Sequence, residues 1–82
     1  MEISVNISNK TSDNHIVHVY DLFAHARREV RGSPFALAED GVSPMFAINA
    51  SANGNGIAAY SCEGGPSLSE IDVSDGSSIE IR

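Results

Sequence analysis

Residues 2–8 read Glu-Ile-Ser-Val-Asn-Ile-Ser, a run in which polar and apolar side chains alternate without exception. Residues 78–82 repeat the pattern as Ser-Ile-Glu-Ile-Arg. A period of two is typical of a β-strand with one buried face, because successive side chains of a strand point to opposite sides. Both stretches are therefore predicted to be half-buried strands.

Further short apolar runs lie between these two stretches. The predicted strands are residues 3–7, 15–20, 35–37, 45–51, 57–62, 71–73 and 78–82. At most one helix is available, so parallel β-α-β repeats are excluded. The sequence predicts one mainly β domain over residues 1–82, a small antiparallel β-sandwich or barrel of about seven short strands. The resemblance to Ig-like or Greek-key sandwiches is generic, because the chain has one cysteine and no tryptophan.

Turn-forming residues separate these strands. The strongest turn signal is Asn53–Gly56, since asparagine and glycine tolerate the positive φ angles of tight hairpins. We expect residues 57–62 to return alongside the strand that precedes this turn. The polar stretch Asn9–Asn14 is predicted to be a hairpin loop, and Asp75-Gly76 is predicted to be a tight turn.

The second predicted strand, His15–Tyr20, has apolar side chains on both faces. Such strands are usually central and covered by protein on both sides. We therefore predict that this strand is the innermost one. Because His15 and His18 are three residues apart on a strand, their side chains are expected to point to opposite faces.

The segment Asp21–Gly32 has two interpretations. One is a short helix over residues 22–31, with Asp21 as its N-cap, arginines near its C-terminal end and Gly32 as its terminator. The apolar face of this helix would comprise Leu22, Phe23, Ala26 and Val30. The other interpretation is an irregular connection in which residues 28–31 are extended.

Composition narrows the classes of function. The net charge of −6 argues against general nucleic-acid binding, which requires a basic surface. No apolar run approaches the roughly 20 residues that cross a bilayer, so no membrane partner is expected. The start of the sequence does not resemble a signal peptide, and we expect a cytoplasmic protein. Cys62 is the only cysteine, which excludes an internal disulfide, and we expect it to be a small buried residue.

Three of the five basic residues, Arg27, Arg28 and Arg31, lie close together in an otherwise acidic chain. Arginine suits bidentate contacts with carboxylate or phosphate, so this patch is the predicted partner-binding site. The alternative is a solvated segment balanced by acids such as Glu29. We also expect the first or the last strand to offer an open edge for strand pairing. Together they predict a non-enzymatic interaction module, acting as a homo-oligomer or as an accessory subunit.

A metal-binding module is the alternative function. Its candidate ligands are His15 and His18 for a transition metal, and Asp72 and Asp75 for calcium. Neither set has the number or spacing of ligands that such sites require, so no metal or cofactor is favoured. A small effector or enzyme is the second alternative, but no acid, base and nucleophile form a spaced constellation, so no catalytic residue is assigned.

Overall fold

Two β-sheets form the protein, and the computed structural model describes all residues from 1 to 82. The strands are β1 (Glu2–Asn9), β2 (His15–Asp21), β3 (Arg28–Glu29), β4 (Phe35–Leu37), β5 (Phe46–Asn49), β6 (Asn55–Cys62), β7 (Ser67–Ser74) and β8 (Ser78–Ile81). The smaller sheet has the order β5-β1-β8, and the larger has the order β3-β2-β6-β7. Strand β4 also pairs with β2, on the same side as β3.

The prediction of a small, mainly β sandwich is confirmed. The structure has eight strands, because residues 28–29 form the additional short strand β3. All paired strands are antiparallel except β1 and β8, which run parallel over residues 6–9 and 78–81. The Ig-like detail of the topology stays a prediction.

The predicted hairpins are mostly wrong, although the turns themselves are present. Gly54 has a φ of +82° and its amide donates to the carbonyl of Ser51, as a tight turn requires. However, β5 and β6 belong to different sheets, so the chain crosses from one layer to the other at this turn. The loops after β1 and after β7 make the same kind of crossing. The turn residues determine where the chain reverses, whereas the apolar faces determine which strands meet.

A single core lies between the sheets and contains 17 buried apolar residues. The alternating pattern is confirmed in β1 and β8, whose isoleucines and valine are all buried. These residues are Ile3, Val5, Ile7, Ile79 and Ile81. The larger sheet contributes Val17 and Val19 from β2 and Tyr60 and Cys62 from β6. Burial of alternate side chains on facing sheets is the main source of stability in such a sandwich.

Strand β2 is central in the larger sheet, as predicted, but it is not covered on both faces. Its outward face carries Ile16, His18 and Tyr20, and Ile16 is 40% exposed. The apolar residues of this face therefore do not indicate a second covering layer. Isolated apolar side chains on a protein surface are common.

Of the two interpretations of residues 21–32, the helix over residues 22–31 is wrong, and the irregular connection with an extended segment is confirmed at residues 28–29. Only Phe23–His25 forms a 3₁₀ turn, and both Ala24 and His25 have positive φ angles, which ends any helical continuation. Residues 28–29 instead pair with Tyr20 and Asp21 of β2. Because this pairing supplies backbone hydrogen bonds that the helix would otherwise make, tertiary structure overrides the helical pattern here.

The structure also decides which edges are open. Strand β1 is not an edge, because β5 lies on one side of it and β8 on the other. Strand β8 is an edge of the smaller sheet, as is β5 at its opposite side. The open edge of β5 borders the site described next.

Candidate functional site

The two sheets are joined at one end of their shared border by Asp21. The carboxylate of Asp21 accepts hydrogen bonds from the backbone N–H of Asn49 at 2.9 Å and from its side-chain amide at 3.0 Å. Its other oxygen accepts from the backbone N–H of Phe23 at 3.0 Å. Since Asp21 is only 7% exposed, these donors replace the water that the carboxylate loses on burial.

A cleft extends from this junction between the edges of the two sheets. One wall is formed by residues 28–31, which comprise β3 and the two residues after it. The other wall is formed by residues 45–47 together with Asn49. We call this site, with Glu2 and Asp21, the inter-sheet cleft. Its volume of about 510 Å³ lies within the range of sites that hold small molecules.

Arg28 and Arg31 lie in this cleft without an ion-pair partner. Both residues are exposed, and no carboxylate oxygen lies within 4.0 Å of either guanidinium group. Each guanidinium group carries five N–H donors in a planar fork that matches a carboxylate. The cleft therefore contains two positive charges that are free to bind an anionic group.

Two of the three acidic residues that line the cleft already accept hydrogen bonds within the protein. Asp21 accepts the three hydrogen bonds of the sheet junction. Glu29 accepts from the hydroxyl of Ser33 at 2.6 Å and lies 2.8 Å from the ring nitrogen Nδ1 of His18. Glu2 is exposed and makes no side-chain hydrogen bond. Of these acids, only Glu2 is free to compete with a ligand for the arginines.

The edge of β5 in the cleft presents unpaired backbone groups. Met1 and Ala50 exchange two backbone hydrogen bonds, so they form a bonded pair of the antiparallel ladder. Bonded and non-bonded pairs alternate along such a ladder, which directs the peptide groups of Ala47 and Asn49 away from β1. The N–H of Asn49 donates a hydrogen bond to Asp21, which agrees with this alternation. The N–H and C=O of Ala47 have no partner.

The structure separates the three arginines of the predicted patch. Arg28 and Arg31 lie in the inter-sheet cleft, whereas Arg27 lies outside it and packs over the ring of Tyr20, with 4.1 Å between its guanidinium carbon and the ring centroid. A cation over an aromatic face is held by the ring quadrupole. Arg27 is therefore engaged on the outer face of the larger sheet, and two arginines remain at the cleft.

His18 lies between two carboxylates on the same outer face. Its Nδ1 is 2.8 Å from Glu29 and its Nε2 is 2.7 Å from Glu63, and the hydroxyl of Ser33 accepts a hydrogen bond from the backbone N–H of Val19. We call His18, Glu29, Ser33 and Glu63 the histidine cluster. Both ring nitrogens can donate at once only when the imidazole is protonated.

Hydrogen bonds control the charges of this cluster. The hydrogen bonds that the ring donates to the carboxylates of Glu63 and then Glu29 raise the pKa of His18 above its ordinary value, because they favour the imidazolium form. Hydrogen bonds from Ser33 and then His18 lower the pKa of Glu29. Because both nitrogens of His18 are occupied by carboxylates, the ring has no free atom with which to act as a general base on a substrate.

The other candidate ligands do not converge. His15 lies beside Gly65 at the far end of β2, Asp72 lies on β7, and the carboxylate of Asp75 accepts from the backbone N–H of Ser4 at 2.8 Å. No group of three or more histidine, cysteine, aspartate or glutamate side chains is close enough to hold a metal ion. The metal-binding alternative therefore has no preformed ligand set.

Cys62 is buried in the core, as predicted, and is unpaired. Burial raises the pKa of its thiol, because the thiolate form would lose its hydration. A nucleophilic cysteine requires the opposite shift. Cys62 therefore acts as a packing residue.

Two features of the site escape sequence inspection. Under the helical interpretation, Asp21 is predicted to be an N-cap. Nothing in the sequence pattern links it to Asn49, which lies 28 residues further on. The open edge of β5 depends on which sheet contains that strand, and the turn signal at residues 53–56 suggests the wrong partner. By contrast, the cluster of arginines is visible in the sequence, and two of its members, Arg28 and Arg31, lie in one wall of the cleft.

Comparison with protein-family models, with curated proteins and with solved structures gives no match to this chain. No helix in the structure has the length and apolar character needed to span a membrane.

Proposed function

We propose that this protein is a non-enzymatic interaction module that binds an acidic segment of another protein in the inter-sheet cleft. The observation that carries the proposal is the presence of two unpaired arginines, Arg28 and Arg31, in one cleft of a protein whose net charge is −6. The chain has only five lysine and arginine residues, and no ion pair of the protein involves the two arginines of the cleft. The ion pairs of His18 hold the fold, and that of Arg82 lies at the last residue.

Two further observations support this function over an enzymatic one. Both ring nitrogens of His18 are occupied by carboxylates, and burial raises the pKa of the Cys62 thiol. Neither side chain is therefore suited to catalysis. The carboxylates of Asp21 and Glu29 already accept hydrogen bonds within the protein, so the unpaired guanidinium groups are the charges of the cleft that remain available to a ligand. The single unpaired Cys62 favours a reducing compartment, and we propose the cytoplasm.

The proposal is tested with short fluorescent peptides of graded glutamate content, titrated by fluorescence polarisation at low ionic strength. We expect affinity to rise with the number of glutamates. Arg28→Gln and Arg31→Gln should each weaken binding of the most acidic peptide by about tenfold, because a hydrogen-bonded charge pair is lost.

Arg27→Gln is the matched control. It removes the same charge from the adjacent residue, but Arg27 lies outside the cleft on Tyr20. We expect its affinity to stay near that of the wild type. An equal loss in all three variants would show that binding is general electrostatic attraction, and the proposal would then be wrong. The same conclusion follows if affinity does not depend on glutamate content.

A further inference from the structure

The inter-sheet cleft also contains an open strand edge, which constrains the shape of the ligand. We infer that the cleft binds an extended peptide segment as an added β-strand on β5, with carboxylates of that segment paired to Arg28 and Arg31. The inference rests on the proposed function and adds to it the conformation of the ligand and the backbone atoms that bind it.

The first support is the direction of the peptide groups of Ala47. Its N–H and C=O point away from β1 and have no partner in the protein, whereas the next outward-facing N–H, that of Asn49, is occupied by Asp21. An extended chain placed alongside β5 would satisfy the groups of Ala47, as strand addition does at other open edges. The junction at Asp21 marks the end of the usable edge, so the added strand lies from Ala47 towards Met45.

The second support is that β7, the longest edge strand of the two sheets, is protected. Strand β7 is an eight-residue edge of the larger sheet, but it carries a bulge opposite Ala59 and the charged side chains Glu70 and Asp72. Bulges and charges are the common devices that prevent strand addition. Residues 45–49 of the β5 edge carry no charge and no bulge.

The third support is charge complementarity across the cleft. The wall opposite β5 holds Arg28 and Arg31, so a segment paired with Ala47 lies between the strand edge and two guanidinium groups. Backbone pairing alone would bind any sequence. The arginines make the site selective for segments that bear carboxylates, because a lysine or arginine of the ligand would meet like charge.

The test uses an acidic peptide of alternating threonine and glutamate, together with two analogues that are N-methylated at alternate residues. N-methylation removes the N–H donors on one edge of a strand. We expect one analogue to lose about fivefold in affinity, the amount of one ordinary hydrogen bond, and the other to bind as the parent does. Two analogues that both bind like the parent would overturn the inference.

A protein variant tests the same contact from the other side. Ala47→Pro removes the free N–H but no bond to β1, and proline is tolerated at such outward positions of edge strands. We expect it to weaken binding by about fivefold, while Ala47→Val, which keeps the N–H, binds normally. Urea unfolding of both variants identifies any loss of fold. Normal binding by a folded Ala47→Pro variant would contradict strand addition.

These outcomes separate the two proposals. If binding depends on glutamate and on Arg28 but not on N-methylation, the acidic-segment function stands and strand addition is wrong. If no acidic peptide binds in an arginine-dependent manner, the function itself is wrong. Self-association in sedimentation experiments, abolished by Arg28→Gln, would assign the cleft to a second copy of this chain and overturn the choice of a separate peptide.

Discussion

Arg28 and Glu29 are adjacent residues of the two-residue strand β3, yet only the charge of Glu29 is paired within the protein. Glu29 is held on the outer face of the larger sheet by Ser33 and His18. Arg28 points to the inter-sheet cleft and has no ion-pair partner. The alternation of side chains along a strand is what separates the two neighbours.

The difference distinguishes charges that hold the fold from charges that are available for binding. The histidine cluster links β2, β3, Ser33 and the turn after β6, so its groups are occupied within the protein. The arginines of the cleft can be removed without breaking any such link. We therefore expect substitutions in the histidine cluster to affect stability and substitutions of the cleft arginines to affect binding.

The largest expected effect lies at Asp21, which joins the two sheets at the closed end of the cleft. Asp21→Ala leaves the N–H groups of Phe23 and Asn49 without their acceptor, and we expect the free energy of unfolding to fall by about 3 kcal/mol. Urea denaturation followed by circular dichroism measures this change. Asp72→Ala, which removes an exposed carboxylate, is the control and should shift the unfolding free energy by at most about 0.5 kcal/mol. Equal effects of the two substitutions would disprove the junction.

A smaller, pH-dependent effect is expected from His18. Its pKa is raised in the folded state, so its stabilisation is complete below the ordinary value of 6.5 and is lost as pH rises through the folded pKa. The pKa of Glu29 is lowered, so its contribution is complete above the ordinary value of 4.5 and is lost as pH falls through its folded pKa. The stability difference between the wild type and His18→Gln should therefore be largest between pH 4.5 and 6.5.

Urea unfolding of both proteins across this pH range measures the difference. Arg28→Gln is the control from the cleft and should show no such pH dependence, because Arg28 is not part of the histidine cluster. If the free energy of unfolding depends on pH in the same way in His18→Gln and Arg28→Gln, the distinction between the histidine cluster and the cleft arginines is wrong. An NMR titration of the His18 ring reports the direction of its pKa shift independently.

The smallest expected effect concerns Glu2, the one carboxylate at the cleft without a hydrogen-bond partner. Glu2→Gln removes a negative charge near Arg28 and Arg31, and we expect acidic peptides to bind about twofold more tightly, as is usual for exposed charges. Glu80→Gln lies outside the cleft and controls for the change in net charge. A gain that is equal in both variants, or a loss in Glu2→Gln, would contradict the assignment of the binding region.

The sequence predicts the cluster of arginines but not the histidine cluster. The arginines are visible as a cluster, but their division between Arg27, which packs on Tyr20, and the cleft pair depends on strand β3, which the helical interpretation of residues 22–31 excludes. The histidine cluster is not predictable in the same way. His18 and Glu63 are 45 residues apart, and only the pairing of β2 with β6 brings them together.

The alternating pattern by itself determined most strands, their buried faces, the position of the turns and the burial of Cys62. These properties are local, because side-chain direction along a strand follows from the backbone of that strand alone. Tertiary structure decided which strands pair, as at the crossing between β5 and β6, and therefore which edge is open at Ala47. It also decided which charges are paired, because the burial of two apolar faces against each other places residues from distant parts of the chain within hydrogen-bonding distance.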